Sequence, residues 1–134
     1  KEVIISYQKR FPLIDHMQLG YNQQIKIIKT IAKATGEHPI VVNAKDVLME
    51  PEKILKKLCA HLNIDFEDKM LNWPEGKRAS DGVWAPHWYS EVEKTTGFQA
   101  YSYHDVVLDS KWRDIYDRCM VDYEVLNSHS LKVV

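Results

Sequence analysis

The chain has 134 residues, of which 45% are hydrophobic and 28% charged, the size and composition of one packed globular domain rather than of a disordered or fibrous chain. Its 18 Lys and Arg and 19 Asp and Glu leave a formal net charge of -1, so it lacks the general positive field that non-specific binding to nucleic acid or to an anionic membrane requires. We therefore expect no nucleic-acid or membrane partner, and any site for an anion must be local.

The first half of the chain contains two predicted helices and one predicted strand. Residues 1 to about 10 form a short helix that Pro12 ends. A second helix covers about 18–35, because apolar residues recur there every three or four positions, and Gly36 stands where a left-handed glycine ends a helix. The β-branched run at about 40–44 is typical of a buried parallel strand and is the one clear strand.

The second half of the chain is predicted to be helical around one irregular loop. Pro51 begins a helix with one apolar face, and this helix is predicted to end at Asn63 in the left-handed conformation. Glycines and a proline make 73–83 a loop. Two further helices are predicted, at about 84–96 and about 109–127.

A single strand cannot form a sheet, since both of its edges would be left unpaired. The first helix also has no N-cap residue before Lys1. We therefore expect residues 1–134 to be the C-terminal portion of one α/β domain, whose remaining strands and N-terminal half precede Lys1. A free-standing helical domain with one odd strand is the alternative.

The two cysteines, Cys59 and Cys119, lie on apolar stripes of predicted helices without metal-binding spacing. They are expected to be reduced core thiols, which favours a reducing compartment and a cytoplasmic location. No apolar run approaches the roughly 20 residues that span a bilayer. The six histidines are scattered and no metalloenzyme or nucleotide-binding motif is present, so we expect no metal and assign no catalytic residue.

Two places can bind an anion. Lys77 and Arg78 are adjacent cations on a predicted turn, where Arg78 can donate two hydrogen bonds to a phosphate and Gly82 lets backbone N–H groups come close. A solvated charged loop is the simpler interpretation. Ser6, in the first turns of the first helix, can contact an anion, although an ordinary helical serine is the commoner case.

Taken in order, these residues resemble the C-terminal half of the sulfotransferases that use 3'-phosphoadenosine 5'-phosphosulfate (PAPS). Residues 1–7, KEVIISY, are similar to the [KR]-[DE]-V-x-x-S-Y part of a family helix. Residues 42–59 resemble the family's strand and helix of the form [YR]-E-D-L-x-x-[DN]-P-x-x-x-L-x-x-[LI]-C, with Ala44 at the first position of the pattern. Residues 77–84, KRASDGVW, align with the R-K-G-x-x-G-D-W loop that closes over the 3'-phosphate.

The resemblance implies a fold, a cosubstrate and a set of binding residues. The fold is a P-loop-type three-layer α/β fold with a parallel sheet, whose 5'-phosphosulfate loop and catalytic histidine lie in the N-terminal half of the domain. PAPS is the implied cosubstrate, and the acceptor is a small molecule with a hydroxyl or amine. The implied contacts to the 3'-phosphate in this chain are Ser6, Lys77, Arg78 and Gly82.

Two other functions stay open at this point. Ala44 replaces a common tyrosine of the family pattern and Ala79 replaces the first glycine of the phosphate loop, so the chain can be an inactive sulfotransferase-like interaction module. An unrelated helical binding domain is the other alternative. A homo-oligomer is compatible with each of these functions.

Overall fold

The computed structural model describes residues 1–102 and 106–132, which fold into two compact units. Unit 1 consists of residues 1–43 and the described part of 103–130, and unit 2 of residues 44–102 and the described part of 131–134. His104, one of the scattered histidines, lies outside the described residues.

Helices dominate both units. The α-helices of the described chain are α1 (Glu2–Gln8), α2 (Tyr21–Thr35), α3 (Ala44–Met49), α4 (Pro51–Leu62), α5 (Ala85–Trp88) and α6 (Arg113–Ser128). Short 3-10 turns cover His16–Leu19, Asp68–Met70, Val92–Lys94 and Ser110–Trp112. Four of the five predicted helices are confirmed, while α3 was not predicted.

Unit 1 is built on the packing of α2 against α6. Its core contains Ile4 from α1, Leu13 from the following loop, and Ile115 and Cys119 from α6, all buried. Half-buried side chains surround this core, including Tyr21, whose ring meets that of Tyr123 edge-on at 6.2 Å. Burial raises the pKa of Tyr21.

Local signals start the short turn that precedes α2 and end α2 itself. The Asp15 carboxylate accepts a hydrogen bond from the Met17 backbone N–H at 2.7 Å, and the Gln18 side chain accepts one from the Asp15 N–H at 2.9 Å. These bonds start the short turn before α2. Gly36 ends α2 with φ 78°, the left-handed conformation that glycine adopts without strain and that the sequence predicted.

Both cysteines are free and buried, which confirms the prediction of core thiols. Cys119 belongs to the unit 1 core, and burial raises the pKa of its thiol. Cys59 lies in unit 2, where its sulfur is 3.8 Å from the sulfur of Met70. Neither thiol has the exposure of a reactive cysteine.

In unit 2, α3 packs against α4. Pro51 occupies the first turn of α4, where a backbone N–H has no acceptor within the helix, so the N–H that proline lacks is not missed. Asn63 ends the helix with φ 53°, so both predicted ends are confirmed. Ile54 is fully buried and anchors the apolar face of α4.

The strand predicted at about 40–44 is present only as a single bridge. Val41 pairs in parallel with Ser130, and α3 already begins at Ala44. A β-branched run becomes a strand only when a neighbouring strand pairs with its backbone, and over the described ranges Val41 pairs with this one residue. The chain as described is therefore mostly helical, and the parallel sheet of the expected α/β fold stays a prediction.

The helix predicted at about 84–96 is broken into the single turn α5 and the 3-10 turn Val92–Lys94. The reason lies in pairing that competes with the helix. The Gly76 N–H donates to the Glu93 carbonyl at 2.8 Å, and the Trp73 N–H donates to the Thr96 carbonyl at 3.0 Å. The backbone near Glu93 and Thr96 thus bonds to the preceding loop instead of continuing a helix.

None of the helices within residues 1–102 and 106–132 is long and apolar enough to cross a membrane.

Candidate functional site

The loop with the two adjacent cations contains a closed turn. The Arg78 backbone N–H donates to the Asp81 carboxylate at 3.0 Å, and the Asp81 N–H donates back to the Arg78 carbonyl at 3.0 Å. Because a short acidic side chain that accepts a nearby backbone N–H stabilises a tight turn, the backbone at Arg78 is fixed from both sides. The backbone that carries Arg78, one of the two cations, is therefore restrained by the turn.

The Arg78 side chain lies over an aromatic ring. Its guanidinium carbon is 5.9 Å from the centre of the Trp73 indole, within the range of a cation–π interaction. The indole N–H donates to the Thr95 hydroxyl at 3.1 Å, and the Phe98 ring meets the indole edge-on at 5.2 Å. Arg78 is thus held at its backbone by Asp81 and at its head group by Trp73.

Backbone pairing brings these aromatic groups together. Asn72 and Gly97 form an antiparallel bridge, next to the bond from the Trp73 N–H to the Thr96 carbonyl. Gly97 lies close to the backbone of the paired segment, because a Cβ at Gly97 would be 3.1 Å from the Leu71 carbonyl oxygen. Two segments more than 20 residues apart thereby build one support for Arg78.

The charges of the loop suit a phosphate or sulfate group. Lys77 is exposed and Arg78 is half-buried, and in the described part of the chain neither forms an ion pair with a carboxylate. The Asp81 carboxylate accepts from the backbone of Arg78. A guanidinium and an ammonium side by side, with N–H donors not committed to an acid, can bind a dianion through charge-assisted hydrogen bonds.

Gly82 and Ser6, the other two predicted binding residues, differ in their surroundings. A Cβ at Gly82 would meet nothing within 4 Å, and its φ is not left-handed, so folding alone does not require glycine there. Ser6 lies in α1, in unit 1, and is exposed, whereas Lys77, Arg78 and Gly82 belong to unit 2. Their joint role toward one phosphate stays a prediction.

A cleft in unit 2 lies beside the aromatic support. Its volume is about 420 Å³, and Phe98, which contacts Trp73, forms part of its wall. The rest of the lining is Glu50, Pro51, Glu52, Lys53, Leu71, Asn72 and Gly97. A hydrogen bond from Lys56 lowers the pKa of Glu52, and Lys53 of the same wall pairs with Glu50 at 3.1 Å.

Sequence reasoning missed the residues that support Arg78. The sequence places Trp73 in the loop at 73–83 and Thr95 in the helix predicted at about 84–96, and it assigns neither residue a binding role. The sequence signal for this support is a tryptophan four residues before the first of two adjacent cations. The hydrogen bond from its indole to Thr95 cannot be read from the local sequence. Among the residues that the structure describes, no group of three or more His, Cys, Asp or Glu side chains could hold a metal ion.

Replacing Gly97 with alanine is expected to destabilise the protein by about 1 to 3 kcal/mol, because the new Cβ must push against the backbone of Leu71. Urea unfolding of the intact protein followed by tryptophan fluorescence measures the change. Gly82→Ala is the matched control, since nothing lies within 4 Å of its Cβ position, and its stability should stay close to wild type. Equal stability of the two variants would contradict the close approach at Gly97.

Comparison with known proteins adds the family context. A family model described as a sulfotransferase domain matches residues 1–129. Two curated relatives from Arabidopsis thaliana are similar over 127 residues: branched-chain-amino-acid aminotransferase-like protein 2 at 30% identity and protein 1 at 32%. Each alignment covers 95% of this chain and 22% of the relative, so the chain spans about a fifth of the length of these proteins. No solved structure matches.

Proposed function

Because this chain belongs to the sulfotransferase domain family, we propose that the protein transfers a sulfuryl group from PAPS to the hydroxyl or amine of a small-molecule acceptor. In this proposal Lys77 and Arg78 bind the 3'-phosphate of the nucleotide, with Gly82 and Ser6 as further contacts. Residues 1–134 form the C-terminal portion of one domain, and its N-terminal half supplies the 5'-phosphosulfate loop and the catalytic groups.

The observation that carries the proposal is the Arg78 guanidinium held over the Trp73 ring at 5.9 Å. The loop that the family uses for a phosphate here has a fixed backbone, two adjacent cations and, within the described chain, no carboxylate paired to either. These donors fit the 3'-phosphate in charge and in hydrogen-bonding type. A merely solvated loop does not need the aromatic support.

The proposed reaction explains why a 3'-phosphate site far from the chemistry matters. PAPS supplies an activated sulfuryl group. The bond from its sulfur to the 5'-phosphate oxygen breaks as a new bond forms from sulfur to the acceptor oxygen or nitrogen. The acceptor proton passes to a base. The 3'-phosphate stays on the nucleotide throughout. Residues that hold it orient the nucleotide without taking part in bond making.

The names of the two curated relatives contain the words aminotransferase-like, and these words describe proteins of which this chain covers 22%. The choice of sulfuryl transfer as the reaction is supported by the family match, which covers residues 1–129 of this chain. A cytoplasmic location is part of the proposal and is supported by the two free, buried thiols. A homo-oligomer is compatible with it.

Titration calorimetry of the intact protein with two nucleotides tests the proposal. We expect 3'-phosphoadenosine 5'-phosphate, the product left after sulfuryl transfer, to bind at least about tenfold more tightly than adenosine 5'-phosphate, because a charged hydrogen bond contributes about 1.5 to 3 kcal/mol. Binding of neither nucleotide would overturn the proposal and would favour the inactive interaction module. Equal affinity for the two nucleotides would contradict the proposed 3'-phosphate site.

A further inference from the structure

We infer that Trp73 is the positioning residue for 3'-phosphate recognition: its indole holds the Arg78 guanidinium ready for the phosphate before the nucleotide binds. The inference rests on the proposed function, and it assigns a role to a residue outside the cationic loop itself. It joins two observations in unit 2: the Arg78 guanidinium lies over the Trp73 ring, and the indole is held by Thr95 and Phe98.

Arg78 needs such a support because its side chain is long and flexible. Ordering a freely rotating arginine on binding costs conformational entropy, and the binding site gains affinity when that ordering is done beforehand. The Asp81 carboxylate fixes the backbone of Arg78 but does not touch its guanidinium in the bonds that the structure gives. Among the described residues, Trp73 restrains the head group, through the contact at 5.9 Å.

The indole can restrain Arg78 only because it is itself held. Its N–H donates to the Thr95 hydroxyl at 3.1 Å, and that hydroxyl donates in turn to the Val92 carbonyl at 2.7 Å. The Phe98 ring contacts the indole edge-on at 5.2 Å. The hydrogen bond to Thr95 and the ring contact with Phe98 together restrain the Trp73 side chain.

Contact with an aromatic ring suits an arginine that must still bind an anion. A guanidinium that lies over a ring uses its π face, while its N–H donors lie in its own plane and stay able to bind a phosphate in a bidentate way. An ion pair with a carboxylate would occupy those donors instead. Trp73 therefore restrains Arg78 without competing with the phosphate.

The test is a double-mutant cycle on the intact protein, with calorimetric titration of 3'-phosphoadenosine 5'-phosphate and of adenosine 5'-phosphate. Trp73→Leu alone should weaken binding of the first nucleotide by about threefold to thirtyfold, the range of a cation–π contact, and should leave the second nearly unchanged. The double variant Trp73→Leu/Arg78→Ala should bind no more weakly than Arg78→Ala alone. Additive losses would show that Trp73 acts independently of Arg78 and would overturn the inference.

Two milder variants keep the test decisive if Trp73→Leu does not fold. Trp73→Phe keeps an aromatic face and should retain most of the wild-type preference for the nucleotide with the 3'-phosphate. Thr95→Val removes the bond that holds the indole N–H and should weaken that preference without changing the affinity for adenosine 5'-phosphate. A wild-type preference that is lost in Arg78→Ala but unchanged in all the Trp73 and Thr95 variants would overturn this inference and leave the proposed function standing. Absence of wild-type binding would overturn both.

Discussion

Replacing Arg78 with alanine is expected to weaken binding of 3'-phosphoadenosine 5'-phosphate by about 10-fold to 150-fold, since a charge-assisted hydrogen bond contributes about 1.5 to 3 kcal/mol. The affinity for adenosine 5'-phosphate should barely change, because this ligand lacks the group that Arg78 contacts. The two affinities, measured by titration calorimetry on the intact protein, separate the loss of one contact from a general loss of folding. A folding defect would weaken both ligands alike.

Two control variants sharpen this prediction. Arg113→Ala removes the same side chain from an exposed position, where Arg113 pairs with Asp117 along α6, and should leave both affinities unchanged. Arg78→Lys keeps the charge but loses the planar fork of donors, so it should recover only part of the lost affinity. Full recovery by lysine would show that charge alone matters and that the planar geometry over Trp73 does not.

Replacing Ile54 with alanine is expected to lower the free energy of unfolding by about 2 to 5 kcal/mol, the cost of removing a fully buried aliphatic side chain and leaving a cavity. Ile54 is 0% exposed and lies on the inner face of α4. Since α4 borders the cleft and packs against α3, its loosening should also broaden the unfolding transition of unit 2. Urea denaturation of the intact protein measures the change.

Graded substitutions distinguish this cavity effect from a change in helix propensity. Ile54→Val removes one methylene and should cost about 0.5 to 1.5 kcal/mol. Leu62→Ala, on the same helix but 56% exposed, should stay within about 0.5 kcal/mol of wild type. A cost for Leu62→Ala equal to that of Ile54→Ala would show that burial is not the cause.

The sequence by itself determined the helices whose signals are local. The apolar repeat and Gly36 predicted α2, and Pro51 and Asn63 predicted both ends of α4. These signals are local because a helix bonds each residue to a neighbour four positions away and buries one face. The adjacent cations Lys77 and Arg78 and the order of the motifs can likewise be recognised from the sequence alone. The family match over residues 1–129 confirmed the resemblance.

Tertiary structure alone decided the features that depend on distant partners. The run at 40–44 has the propensity of a strand, yet only the single bridge from Val41 to Ser130 formed in the described chain, because a strand exists only through the backbone that pairs with it. The helix predicted through Glu93 was broken by the bond from Gly76. The support under Arg78 likewise required Trp73 and Thr95, which lie 22 positions apart, to meet across a paired backbone, and no local pattern specifies such a contact.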